Sequence, residues 1–159
     1  MIGRTLTRSY EAAATPAEAW SYFSDPVALA AASSHGVRVE KAEPGLAVGT
    51  SWLEHHGAEC DFDVVPWRAI AVEPGRSLTV EGLQAGARQR MTTTLEPRAG
   101  GVEIHCTLEL RPSLKARGSL LERLLIFVML TTGLGLGIIA DQFDETVNED
   151  RSHLNRHAP

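Results

Sequence analysis

Through the last third of the chain, apolar residues return every three or four positions. In the lower half of the stretch from Ser119 to Leu154, Leu136, Ile139, Phe143, Val147 and Leu154 fall on one helix face. Asp141, Asp144, Glu145, Asn148 and Glu149 fill the opposite face. Continued upward, the stripe takes in Leu121, Leu125, Val128, Thr132 and Gly135. The spacing predicts one long helix with a side meant for burial. Gly133, Gly135 and Gly137 lie inside it, and each glycine costs about 1 kcal/mol against alanine in a helix interior. Either the helix breaks near Thr131, or the glycines form a notch where it runs close to a strand, another helix or a ligand.

The rest of the chain reads mostly with a period of two. Ile2 to Glu11 alternates as a strand. Thr15-Pro16-Ala17-Glu18 is a helix start: the threonine caps, proline takes the first turn and Glu18 closes the capping box. The helix Pro16 to Ser24 offers Ala19, Trp20 and Phe23 to the core. Asp25-Pro26 repeats the device and starts a second short helix reaching Ala32. Strands follow at Val37–Glu43, Thr50–His56, Cys60–Glu73, Ser77–Leu83, Ala87–Glu96 and Val102–Leu110, separated by Pro/Gly turns. A kink is expected at Pro66, since proline donates nothing to a ladder. This order predicts an α+β fold, a seven-stranded antiparallel sheet curling around the C-terminal helix. Residues 1–155 form a single domain and 156–159 a disordered tail.

Charge narrows the function classes. Lys and Arg number 15 against 20 Asp and Glu, a net charge of -5. Without a basic cluster the chain is not expected to bind nucleic acid. Cys60 and Cys106 read as two buried reduced thiols of a cytoplasmic protein, with a disulfide between neighbouring strands as the alternative. No signal peptide is visible in the first ten residues. Leu124 to Ala140 carries no charge but falls short of the roughly 20 residues of a spanning helix. A membrane span is therefore not expected.

Several local patterns together carry a family resemblance. They are Thr15-Pro16-Ala17-Glu18-Ala19-Trp20, the Asp25-Pro26 break, Gly49-Thr50-Ser51-Trp52, Ala71-Val72-Glu73-Pro74-Gly75-Arg76-Ser77-Leu78 and Gly100-Gly101-Val102-Glu103-Ile104. The apolar helix after Leu110-Arg111-Pro112 completes the set. In order and spacing the chain resembles the START-like, Bet v 1-like superfamily, also called SRPBCC or the polyketide cyclase/dehydrase group, from Arg4 to Leu154. The resemblance implies a helix-grip fold with an apolar cavity between the sheet and the long helix. It also implies a hydrophobic ligand, carried in some members and cyclised or dehydrated in others. Fold alone does not choose between these.

Candidate chemistry is sparse. On the last strand Val102, Ile104, Cys106, Leu108 and Leu110 face the core, leaving His105 at the surface. Ala87, Gln89, Met91, Thr93 and Leu95 point inward on the strand before it, so Gln89 is a polar group in an apolar wall that needs a partner. Trp52, Glu54 and His56 share a face. If Trp52 turns inward, a carboxylate and an imidazole follow it under apolar cover, where acid–base chemistry is tuned. If Leu53 turns inward, the pair is solvated, and this plainer arrangement is the expected one. His55 and His56, being adjacent on a strand, point to opposite faces, and no spacing matches a zinc site, so no metal or other cofactor is expected.

The leading reading is a polyketide cyclase- or dehydratase-like protein. Its pocket wall would be drawn from Trp20, Phe23, Trp52, Trp67, Met91, Leu95, Val128 and Phe143, with Gln89 and Gly135 against the ligand. Glu54, His56 and Arg68 would supply proton transfer. The alternatives are a non-enzymatic carrier or sensor, and a membrane-peripheral or interaction protein using the apolar helix. On the side opposite the stripe, Phe127, Leu130, Leu134 and Gly137 form an apolar set expected to be covered, preferably in a homodimer.

Overall fold

The computed structural model describes residues 3–40, 43–56, 64–84, 87–113, 119–133 and 136–158. Strand β1 (Arg4–Ala12) is followed by helices α1 (Pro16–Phe23) and α2 (Pro26–Ala32). Six strands come next: β2 (Arg38–Glu40), β3 (Ser51–His55), β4 (Val64–Glu73), β5 (Ser77–Gln84), β6 (Ala87–Arg98) and β7 (Gly101–Pro112). Two helices end the chain, α3 (Leu120–Thr132) and α4 (Leu136–Arg156). All strands pair antiparallel in one curved sheet ordered β1-β7-β6-β5-β4-β3-β2. The edge strands β1 and β2 are joined in sequence by α1 and α2, which span from one side of the sheet to the other.

The local signals that start α1 act as read. Thr15 accepts from the Glu18 amide, and Glu18 Oε2 accepts from the Thr15 amide at 2.8 Å. Asp25 caps α2 by accepting from the Val27 amide at 2.9 Å. Each cap contributes about 1 kcal/mol. Tyr22, which the sequence pattern does not mark out, is buried beside Ala19 and Phe23.

Two details of the sheet differ from expectation. The irregularity in β4 is a register shift between Ala69 and Ala71, whereas Pro66 stands in register opposite Leu53. Pairing of β4 with β5 starts only at Trp67, so Pro66 has no N–H to give where no ladder partner waits. The second strand is shorter than its pattern, ending at Glu40, with 41 and 42 outside the described residues. Cys60 also lies outside them. Cys106 is a free, buried thiol.

In the C-terminal third the first of the two alternatives holds: the helix breaks after Thr132, leaving the long α4 and a shorter α3 that meet at 91°. Gly133 ends α3 with φ +79°, its amide bonded to the Met129 carbonyl at 2.9 Å, a left-handed terminus that glycine supplies without steric cost. Below the break the predicted stripe holds: Phe143, Val147 and Leu154 are buried, and Leu136 and Ile139 pack beside them. Above it the phase is lost. Leu121, Leu125 and Val128, expected inside, are exposed, and Leu130, expected outside, is 1% exposed. One periodicity cannot be carried across a turn in the helix axis.

Polar contacts pin α4 along its length. Arg8 on β1 pairs with Asp144, Glu149 accepts from the Ser34 amide at 3.0 Å and Asn155 from the Ala13 amide at 3.0 Å. Arg4 donates to the Leu130 carbonyl at 3.1 Å near the end of α3. The Gly133→Ala variant is expected to lose about 1–2 kcal/mol in urea unfolding, since a Cβ is strained at this φ. An unchanged midpoint would show that the turn does not depend on glycine.

Candidate functional site

The inner face of the sheet and the helices enclose a cavity of about 620 Å³. Phe23 and Leu29 from α1 and α2, Trp52, Trp67 and Met91 from the sheet, and Ile126, Leu130 and Phe143 from α3 and α4 make its apolar wall. The sheet residues reach it through strict alternation. On β7, Val102, Ile104, Cys106, Leu108 and Leu110 are all buried, and His105 stands on the outer face, its Nδ1 2.7 Å from Ser9 Oγ.

On β3 the less expected arrangement is the one that forms. Trp52 turns inward, and Glu54 and His56 follow it into the cavity. The cause lies on the neighbouring strand: Trp52 sits in register with Trp67, so the two indoles share one face beneath the apolar cover. The Trp67 ring in turn lies over Gly82, where a Cβ would meet Cε3 at 2.8 Å. The small residue on β5 leaves the ring its place.

Both indoles aim at Glu54. Trp52 Nε1 donates to Oε1 at 3.1 Å and Trp67 Nε1 donates to Oε2 at 2.8 Å. His56 Nε2 is 3.3 Å from Oε2. The Glu54 side chain is 17% exposed and that of His56 34%. Two N–H donors satisfy the carboxylate oxygens inside an apolar wall and leave Glu54 placed to orient the imidazole beside it. His55 points the other way, 2.8 Å from Glu40 Oε2.

Of the other expected site residues, Phe23, Trp52, Trp67, Gln89, Met91 and Phe143 line the cavity. Gln89 is satisfied by a side chain, donating to Gln84 Oε1 at 2.5 Å. Arg68 does not join the pair: it follows Trp67 on β4, so alternation turns it outward, where it is exposed. Leu95 is buried in the core beyond the cavity wall. Trp20 packs half-buried against both core clusters without lining the cavity. Val128 is exposed on α3 because of the helix break. Gly135 lies outside the described residues.

Sequence reasoning missed a second polar group. Asp150 is buried at 8% exposure, lines the cavity and accepts from the Tyr22 hydroxyl at 2.6 Å. Its signal was present: between Val147 and Leu154 it occupies a position that the apolar stripe should fill. Burial pushes its carboxyl up to about 7 against the opposing bond from Tyr22, with the charge of Glu149 adding to the rise. Burial likewise pushes the Cys106 thiol up to about 12, so it stays protonated and is no nucleophile at neutral pH.

A curved antiparallel sheet closed over an apolar cavity by C-terminal helices defines the helix-grip, Bet v 1-like SRPBCC class. Within it, the chain belongs to the polyketide cyclase / dehydrase and lipid transport family, whose model matches residues 4–128. No curated protein matches it in sequence. Among solved structures, an uncharacterised protein of Rhizobium leguminosarum superimposes with a TM-score of 0.68 at 13% identity, over 98% of this chain and 96% of the other. A Rhodobacter sphaeroides protein gives 0.68 at 19% identity, over 96% and 93%. Truncated norcoclaurine synthase of Thalictrum flavum gives 0.65 at 14%, over 98% and 96%. At these identities the likeness is one of fold.

The buried acid carries a pH signature. From its ordinary 3.8 to about 7, the unfolded chain has released a proton that the folded protein keeps, so stability contributed by Asp150 is full below pH 4 and is lost as pH rises to 7. The loss approaches on the order of 3–4 kcal/mol. Urea midpoints across that window are expected to fall more steeply in the native protein than in Asp150→Asn; parallel slopes would contradict the assignment.

Proposed function

We propose that the protein binds a polyketide- or lipid-like molecule in this cavity and acts on it as a cyclase or dehydratase. One observation carries the reading: Glu54, fixed by two indole N–H groups, stands 3.3 Å from His56 inside an apolar cavity of about 620 Å³. The apolar wall folds a poly-ketone so that its reacting carbons approach, which supplies proximity. His56 removes the acidic proton from a carbon between two carbonyls. The enolate carbon then attacks a second carbonyl, and the imidazolium returns the proton to the new alkoxide. His56 then takes the next acidic proton from carbon, and the imidazolium so formed gives it to the departing hydroxyl, which leaves as water while the C=C bond forms. Glu54 stabilises the imidazolium between these steps. The family description joins cyclase and dehydrase with lipid transport, and no metal or cofactor is part of the scheme. The buried free thiol of Cys106 fits a cytoplasmic location. Among the described residues no single helix is long and apolar enough to cross a membrane.

A carrier function is the second reading. It is favoured by the indole bonds themselves, which take one lone pair on each Glu54 oxygen and so give the carboxylate a structural task. The apolar face of α3, where Leu121, Leu124, Leu125, Phe127 and Val128 are exposed, is read as the contact between two copies of the chain.

Native mass spectrometry of protein purified from its own host identifies what the cavity holds. With that compound or a poly-ketone analogue, Glu54→Gln and His56→Asn are expected to lower turnover by about 100-fold or more while affinity changes little. Full turnover in both variants would remove the pair from the chemistry, and tight binding with no turnover in the native protein would make it a carrier. Sedimentation at micromolar concentration is expected to show a dimer that Leu124→Glu with Leu125→Glu dissociates. A monomeric native protein would sink the dimer.

A further inference from the structure

The cavity has a second polar end, remote in sequence from Glu54 and His56 and unused by the chemistry above. Asp150 from α4, Thr93 from β6 and Cys106 from β7 all line it, and each is more than nine-tenths buried. Thr93 and Cys106 stand opposite each other in the β6–β7 register. Behind them the buried Tyr10 hydroxyl has no hydrogen-bond partner among the described residues.

Asp150 is asymmetric. Its Oδ1 accepts from Tyr22, whose phenol burial and the neighbouring acid keep protonated. Its Oδ2 carries no hydrogen bond from the described residues. When the acid is protonated, the proton belongs on Oδ2, because Oδ1 is already the acceptor of a phenol O–H. A single donor is thus presented to an apolar space.

We propose that Asp150 Oδ2–H forms a recognition subsite for one carbonyl oxygen on an otherwise apolar ligand. The inference rests on the reading of the cavity as a hydrophobic-ligand site and narrows its ligand class to ketones and related carbonyl compounds. A buried donor left unpaired is costly, so a site built this way discriminates against a ligand of equal shape without an acceptor. The preference requires the neutral acid. The groups around it are Tyr10 from β1, Tyr22 from α1, Cys106 from β7, and Glu149, Arg151 and His153 on α4 itself. The two phenols and the thiol are held protonated well above neutrality, and burial lowers the His153 imidazole below its ordinary range. Asp150 is the carboxyl that changes charge near pH 7.

The test compares acetylnaphthalene with isopropenylnaphthalene, which replaces C=O by C=CH₂ at nearly the same shape. Binding is read from quenching of Trp52 and Trp67 and by calorimetry. At pH 5.5 the acetyl probe is expected to bind about tenfold more tightly, relative to each probe's partition from water into hydrocarbon. That preference collapses by pH 9 in the native protein. Asp150→Asn, whose amide still donates, retains it at both pH values, and Asp150→Leu loses it at both while holding the isopropenyl probe. Equal relative affinities at pH 5.5, or a preference that survives in Asp150→Leu, overturn the subsite and leave the hydrophobic cavity standing. If neither probe binds, the cavity reading fails and the subsite with it. The native pH comparison needs no variant, so the subsite stands or falls on it even if Asp150→Leu misfolds.

Discussion

A tyrosine hydroxyl and a carboxyl group meet at 2.6 Å in the interior, joining α1 to α4. Both side chains are more than nine-tenths buried, so neither group has water to fall back on. A buried acid without a partner is expensive, and one that is hydrogen-bonded is tolerable. This contact therefore fixes where α4 lies along the sheet. The aliphatic contacts around it are individually forgiving of a small slide; a hydrogen bond between two buried groups is not. His153 stacks on the Tyr22 ring at 4.5 Å, which holds the phenol in line. The position of α4 decides in turn that Phe143 and Val147 roof the cavity, with Asp144 reaching Arg8 on β1.

The cavity that results has apolar walls and polar groups from opposite ends of the chain's architecture. Glu54 is held by indoles on adjacent strands, and Asp150 by a phenol on a helix. The two carboxyl groups live in different surroundings. Glu54 receives two N–H donors and has an imidazole beside it, while Asp150 has one neutral partner and deep burial, which favours its neutral form. The same side-chain chemistry thus offers an acceptor in one place and a donor in the other.

Much of the architecture was legible in the sequence because it is encoded between near neighbours. The Thr15–Glu18 box, the Asp25 cap and the alternation on β7 depend on residues two to four positions apart, and each appeared as read. The α4 stripe from Leu136 to Leu154 was equally plain. The orientation of β3 was not. Its two faces carry Trp52, Glu54 and His56 against Leu53 and His55, and the apolar count hardly separates them. Trp67 broke the tie from the adjacent strand, with Gly82 making room for its ring. Arg68 was misplaced for a related reason: its neighbour Trp67 took the inward face.

Left to itself, the chain determined where helices and strands begin, which residues share a face within each, and that an oily C-terminal segment needs cover. Those properties follow from local backbone geometry and the period of apolar side chains. Tertiary structure alone decided which face of β3 turned inward, that the helix phase changed across Gly133, and that Asp150 would be paired instead of solvated. Each of these choices compares the burial of groups far apart in sequence, and that free energy exists only once the surfaces have met.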